Sequence, residues 1–177
     1  MRTAKNYAEA LFSLSEELKK TDAVLKDVEI CSKALAENPK YVSLTDTPAI
    51  SVPEKIALID AAFSSVDEMI KNLLKILCES HSVHMFTDIV REYISVYNES
   101  RGICPAEVVS AVPLSDEQKK AMKARIEKMT GKTVVLKNSV DKDILGGAIV
   151  RFMGRQYDGS LGARLSSIEK SLKETVI

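Results

Sequence analysis

The sequence predicts a mainly α protein, with an N-terminal bundle of six helices followed by a small α+β C-terminal domain. Three observations carry this. Through the first hundred residues, apolar side chains recur at helical spacing. Gly and Pro are sparse, 7 and 5 in 177 residues, which favours long helices over a turn-rich sheet protein. At Arg101-Gly102 the pattern changes to β-branched residues with some alternation, then to alternating strand and helix signals. The division falls at 1–102 and 103–177.

Residues 3 to 20 read as the first helix, with Tyr7, Leu11, Leu14 and Leu18 in one stripe and Ala4, Ala8 and Phe12 flanking it. Thr21-Asp22 breaks it and can cap a second helix carrying Val24, Leu25, Val28 and Leu35. Asn38-Pro39 should stop that helix, because a residue before proline avoids helical angles. A short helix is expected at Tyr41 to Leu44. Ser51-Val52-Pro53-Glu54 starts the next, through Ile56, Leu58, Ile59 and Phe63. Residues 66 to 79 form the most apolar helix. Val66, Met69, Ile70, Leu73, Leu74, Ile76 and Leu77 span roughly 160° at a helical period of about 100° per residue. One core needs a stripe of about 100°, so the surplus predicts a second apolar neighbour. The sixth helix runs from about Val83 to Ser100.

Beyond Gly102, Ile103 to Val112 reads as a strand ended by Pro113. Ser115, Glu117 and Gln118 start a charged helix that ends near Thr130-Gly131. Thr133 to Leu136, Gly147 to Met153 and Gln156 to Asp158 are expected strands. A final helix from about Ser160 to Val176 places Leu161, Leu165, Ile168 and Leu172 on one face.

Several function classes lose support at this level. The charges balance at 25 basic and 25 acidic and are interspersed, so no nucleic-acid face is visible. No stretch nears the 18 or so apolar residues that would span a bilayer, so no direct membrane insertion is expected. The three cysteines, Cys31, Cys78 and Cys104, are odd in number and widely spaced, which suits a reducing compartment rather than a disulfide framework. Gly131-Lys132-Thr133 resembles the end of a phosphate-binding loop. The glycine required five positions earlier is Ile126, and the triplet leads into a strand, so a helix-to-strand turn is the reading adopted. Gly146-Gly147 lacks dinucleotide-loop spacing and reads as close backbone packing at a strand start. Cys78, His81, His84 and Asp88 have a spacing that suits a metal, but no distant ligand set joins them; a helix–helix turn with solvated imidazoles accounts for them. No catalytic residues, no metal and no cofactor are expected.

The opening Tyr7-Ala8-Glu9-Ala10-Leu11-Phe12 resembles the first helix of the delta subunit family of F-type ATP synthases, which includes the oligomycin-sensitivity-conferring protein. The stretch Tyr97 to Ala111, then Pro113 to Gln118, is similar to that family's domain junction. The most specific blocks are Val140-Asp141-Lys142-Asp143-Ile144-Leu145-Gly146-Gly147-Ala148-Ile149-Val150-Arg151 and Asp158-Gly159-Ser160-Leu161-Gly162-Ala163-Arg164-Leu165. Met153 departs from the pattern, where a small residue is usual.

The resemblance implies a stator subunit that binds the catalytic head and makes no bonds itself. Its N-terminal bundle would take the amphipathic N-terminal helix of an alpha subunit in a groove between the first and fifth helices. The corresponding residues here are Ala4, Ala8, Leu11 and Ser15 with Ile70, Leu73, Leu74 and Leu77. Its C-terminal domain would meet the b subunits, through Leu161, Leu165, Ile168 and Leu172. Apolar helical stripes usually face a chain's own core, so both sets also suit interior packing. The resemblance places the protein at the cytoplasmic face of the bacterial cell membrane, held there through the complex. Two other readings stay open: an adaptor module of another complex, and a small metal-dependent enzyme built on His81, His84 and Cys78.

Overall fold

The computed structural model describes the backbone of residues 2–175 and the side chains of residues 3–167 and 173. Two compact units form, Met1–Tyr97 and Asn98–Ile177. The first is helical: α1 (Arg2–Glu17), α2 (Thr21–Glu37), α3 (Pro39–Asp46), α4 (Val52–Ala62), α5 (Glu68–Glu79), a 3-10 turn at Val83–Met85, and α6 (Phe86–Ser100), which runs past the unit boundary. Then come β1 (Ile103–Ser110), α7 (Asp116–Thr130), β2 (Thr133–Val140), β3 (Ala148–Phe152), β4 (Arg155–Asp158) and α8 (Leu161–Thr175).

Helix starts follow local side-chain chemistry. The Ser51 N–H donates to Glu54 Oε2 at 3.2 Å and opens α4. Asp67 caps α5 by accepting the Met69 N–H at 3.0 Å. Ser115 and Gln118 make a reciprocal box at α7: Ser115 Oγ accepts the Gln118 N–H at 3.2 Å, and Gln118 Oε1 accepts the Ser115 N–H at 3.0 Å. Gly131 ends α7 in the left-handed region, φ +67°.

Three elements differ from expectation. Helix α2 starts at Thr21, with Lys20 at the cap position and no side-chain cap. Helix α3 is twice as long as its apolar pattern implies. Pro39 ends α2 but also occupies the first turn of α3, where a missing N–H costs nothing. Strand β2 continues past Leu136 to Val140, because it pairs in parallel with β1 along its whole length, Ile103↔Thr133 to Ser110↔Val140. Its polar end hides it from hydropathy. Asn138 makes that end stable: its Nδ2 donates to Val108 O and to Ser110 Oγ, each at 3.0 Å, and its Oδ1 accepts the Leu114 N–H at 3.2 Å.

The sheet order is β2-β1-β3-β4, with β1–β2 parallel and the other two pairs antiparallel. Helix α7 is the crossover between the parallel strands. It lays Ile126 on one sheet face, against Cys104, Ala106, Val134 and Phe152. Met153 and Gly154 form the two-residue β3–β4 turn, both with positive φ, as a type I′ hairpin requires. Gly147 stands at φ +84°, and an added Cβ would lie 2.4 Å from the Gly159 carbonyl oxygen. The glycine pair is therefore a close backbone approach at a strand start.

The helical core gathers Val24, Val28, Cys31 and Leu35 of α2, Ile59 of α4, the inner face of α5, and Phe86, Ile89, Val90 and Tyr93 of α6. Burial pushes the Cys31 thiol up to about 12, with Asp27 adding to it.

Two outcomes test this packing. Leu77→Ala, at a fully buried site, should cost the helical unit about 2–5 kcal/mol in urea unfolding, and Ile76→Ala, half exposed, less than about 1 kcal/mol. Gly147→Ala should lower the stability of the sheet unit by about 3 kcal/mol or more, because strain and backbone overlap combine there. Gly131→Ala, with open space around the added Cβ, should cost about 1–2 kcal/mol, both glycine variants being read by urea unfolding.

Candidate functional site

The eight residues expected to line a groove on α1 and α5 are interior. Ala4, Ala8, Leu11, Ser15, Ile70, Leu73, Leu74 and Leu77 are each at most 7% exposed in the chain by itself. Ser15 is tied to α6: its hydroxyl lies 3.0 Å from the Tyr93 hydroxyl and donates to Phe12 O at 2.8 Å. The Phe12 and Tyr93 rings meet edge to face at 6.0 Å. Burial pushes the Tyr93 phenol above its ordinary value, with the Ser15 contact acting the other way. In the chain by itself these side chains are part of the helical core, not of its surface.

The wide apolar arc of α5 divides into a buried face and a more exposed edge. Cys78 is buried at one edge, so the inner face runs from Leu73 round to Cys78. Ile76, 48% exposed, lies outside that face, and the half-buried Met69 packs at its edge. Leu14 of α1 is 50% exposed and Leu18, just past its end, 57%, with Tyr7 half-buried against the core. Lys20 Nζ, just past α1, bridges to Asp67 Oδ2 at the start of α5 over 3.0 Å. The C-terminal end of α1 thus lies beside the N-terminal end of α5. The Met69 N–H, then Lys20, hold the Asp67 carboxyl below the usual carboxylate range. This tie is at full strength above that usual range and is lost as pH falls through the lowered value.

In the sheet unit, Leu161 and Leu165 are 48% and 61% exposed at the start of α8, so neither packs into the sheet core. Ile168 and Leu172 lie outside the described side chains. Within the same unit an open cleft of about 620 Å³ is bounded by Met122, Ile126 and Met129 of α7, Phe152 and Tyr157 of the sheet, and Arg164 at the start of α8. Phe152 and Tyr157 stack at 5.0 Å. Sequence reading took α7 for a charged helix and passed over its methionines. Met122, Ile126 and Met129 stand at i, i+4 and i+7, the signal that would have found them.

The residues weighed as metal ligands are otherwise engaged. Cys78 is buried, His81 Nδ1 meets Lys55 Nζ at 3.0 Å, and His84 Nδ1 meets Asp46 Oδ2 at 2.6 Å. Asp88 pairs with Arg91 at 3.0 Å. Gly131-Lys132-Thr133 is the turn from α7 into β2. Among the described residues, no helix is long and apolar enough to cross a membrane.

Residues 3–172 match the profile of the family described as ATP synthase delta (OSCP) subunit. The ATP synthase subunit delta of Geobacillus sp. (strain WCH70) is 35% identical over 170 residues, 96% of each chain. That of Clostridioides difficile (strain 630) is 33% identical over 175 residues, 98% of this chain and 97% of the relative. A chain in the cryo-EM structure of the Toxoplasma gondii mitochondrial ATP synthase hexamer superposes with a TM-score of 0.72 at 22% identity, covering 96% of both chains, and so shares the fold. The chain belongs to the ATP synthase delta (OSCP) subunit family, a non-catalytic part of that enzyme's peripheral stalk.

Proposed function

We propose that the helical unit grips the catalytic head by taking the amphipathic N-terminal helix of an alpha subunit along the outer sides of α1 and α5. What supports this reading is the exposure of Leu14 on α1, of Leu18 just past it and of Ile76 on α5, with Lys20 and Asp67 tying the end of α1 to the start of α5. A partner helix laid there would be held mainly by apolar area removed from water, at about 25 cal/mol per Å². The interior residues Leu11, Leu73 and Leu74 act behind it by fixing the spacing of the two helices.

The sheet unit, on this reading, meets the ends of the b subunits through the exposed start of α8, Leu161 and Leu165, and the apolar cleft of the same unit. Head and membrane sector would then be tied so that rotation driven by ion flow, of protons or sodium ions, does work on the catalytic sites. The protein makes no bonds; its task is to resist torque. It would lie at the cytoplasmic face of the bacterial cell membrane, attached through its partners.

Leu14→Asp and Ile76→Asp should each weaken binding of an alpha-subunit N-terminal peptide by about tenfold or more in calorimetric titration, a loss of about 1.4 kcal/mol or more. Their circular dichroism should stay that of the natural chain. Leu74→Asp, at a buried position, should instead unfold the helical unit. Unchanged affinity in both surface variants would remove the α1–α5 strip as the docking site. For the sheet unit, Leu165→Asp should reduce co-purification with b subunits while alpha-peptide binding is untouched; loss of neither would exclude the α8 contact.

A further inference from the structure

Helix α7 covers only part of one sheet face. Its Ile126 packs on Cys104, Ala106, Val134 and Phe152, so β1 and β2 are roofed and Phe152 marks the limit of the cover. Beyond it, β3 and β4 keep an apolar floor. Val150 is half-buried, and Tyr157, stacked on Phe152, is 41% exposed. This is the floor of the cleft of about 620 Å³. One wall is the methionine stripe of α7, where Met129 is 61% exposed. Methionine adapts its shape to what it touches, which suits a surface that another chain must fill.

Among the described residues, the charged side chains that line this cleft are Arg125, Asp158 and Arg164. Asp158 is committed: its Oδ1 accepts the Ser160 N–H at 2.9 Å, which holds the carboxyl below the usual carboxylate range. Arg125 of α7 and Arg164 of α8 are exposed, and neither guanidinium has an ion pair or hydrogen bond among the described residues. Arg151, which strand alternation puts on the opposite sheet face, pairs with Glu107 at 3.4 Å instead.

We propose that the cleft seats an acidic amphipathic helix, and that Arg125 and Arg164 select it through its carboxylates. This rests on the reading that the sheet unit meets a b subunit, and it adds the chemistry of the segment received. A guanidinium is always charged and offers a planar fork of donors that fits a carboxylate. Both arginines line the cleft and they stand on different helices, so one segment seated there can pair with both. A small ligand is held where about 70–90% of its surface is covered, which an open cleft does not do. A helix needs cover on one face only. The apolar floor and the methionines supply contact area, and the arginines decide which helix is accepted.

The test titrates a peptide of the b-subunit end into the full chain by calorimetry, at about 0.1 M and about 1 M salt, where charges reach about 10 Å and about 3 Å. Arg125→Glu with Arg164→Glu should weaken binding about tenfold or more at the lower salt, and most of that loss should vanish at the higher. Lys120→Glu with Lys128→Glu makes the same change in net charge on exposed positions of α7 outside the lining, and should shift affinity less than about threefold. Equal losses in the two pairs would overturn the proposal. No loss in the arginine pair, with the natural chain still binding, would overturn it while leaving the b-subunit contact standing. No binding by the natural chain would remove that contact and the proposal together. A second readout needs no variant. The methyl NMR signals of Met122 and Met129 should shift as the peptide is added, while that of Met85, packed on the helical core, stays in place. Unmoved Met122 and Met129 signals at saturation would overturn seating in the cleft, even if Leu165→Asp lowers affinity.

Discussion

Helix α5 must take Ile70, Leu73, Leu74, Leu77 and Cys78 out of water together, and the helical unit is arranged to let it. It packs against α4 and α2, while Ile70 and Leu77 reach the same core as Phe86, Ile89 and Tyr93 of α6. Helix α1 closes the core with small residues, Ala4 and Ala8, and with Ser15, whose hydroxyl has a partner in Tyr93. Once that face is satisfied, α5 has an exposed apolar remainder in Ile76, and α1 has Leu14, with Leu18 just past its end. On the proposed reading, folding and docking use different sides of the same helices. A rigid inner face sets the geometry of the outer one, which is what a part that transmits force without chemistry requires.

Much of this was legible in the sequence, and for identifiable reasons. Ser51 with Glu54 and Ser115 with Gln118 mark helix starts through local hydrogen bonds that depend on nothing distant. The pattern change at Gly102 and the left-handed end of α7 at Gly131 are equally local. The apolar excess of α5 was visible as periodicity. What periodicity could not give was phase: which edge of the stripe faces inward depends on Cys78, and on helices far away in the chain. The groove residues that the resemblance implied, small and polar Ala4, Ala8 and Ser15 among them, are all buried in the chain by itself.

The other gaps are tertiary in origin. Strand β2 extends through Lys137, Asn138 and Ser139 because β1 offers a parallel partner there, and no hydropathy pattern records that. Asn138 looks like a loop residue until its neighbours Val108, Ser110 and Leu114 are in place. Lys55 looks like a surface lysine on a helix until the turn at His81 folds over it. Each case is a polar group whose partner is remote in sequence.

The central claim is that the outer sides of α1 and α5, and not their buried faces, receive an alpha-subunit helix. Mapping amide chemical shifts of the full chain as an alpha-subunit N-terminal peptide is titrated in tests this most directly. The account predicts the largest changes around Leu14, Leu18, Met69 and Ile76, with the core of α2 near Val28 little moved. Changes concentrated on another exposed apolar position, such as Ile30 of α2, with α1 and α5 silent, would contradict it.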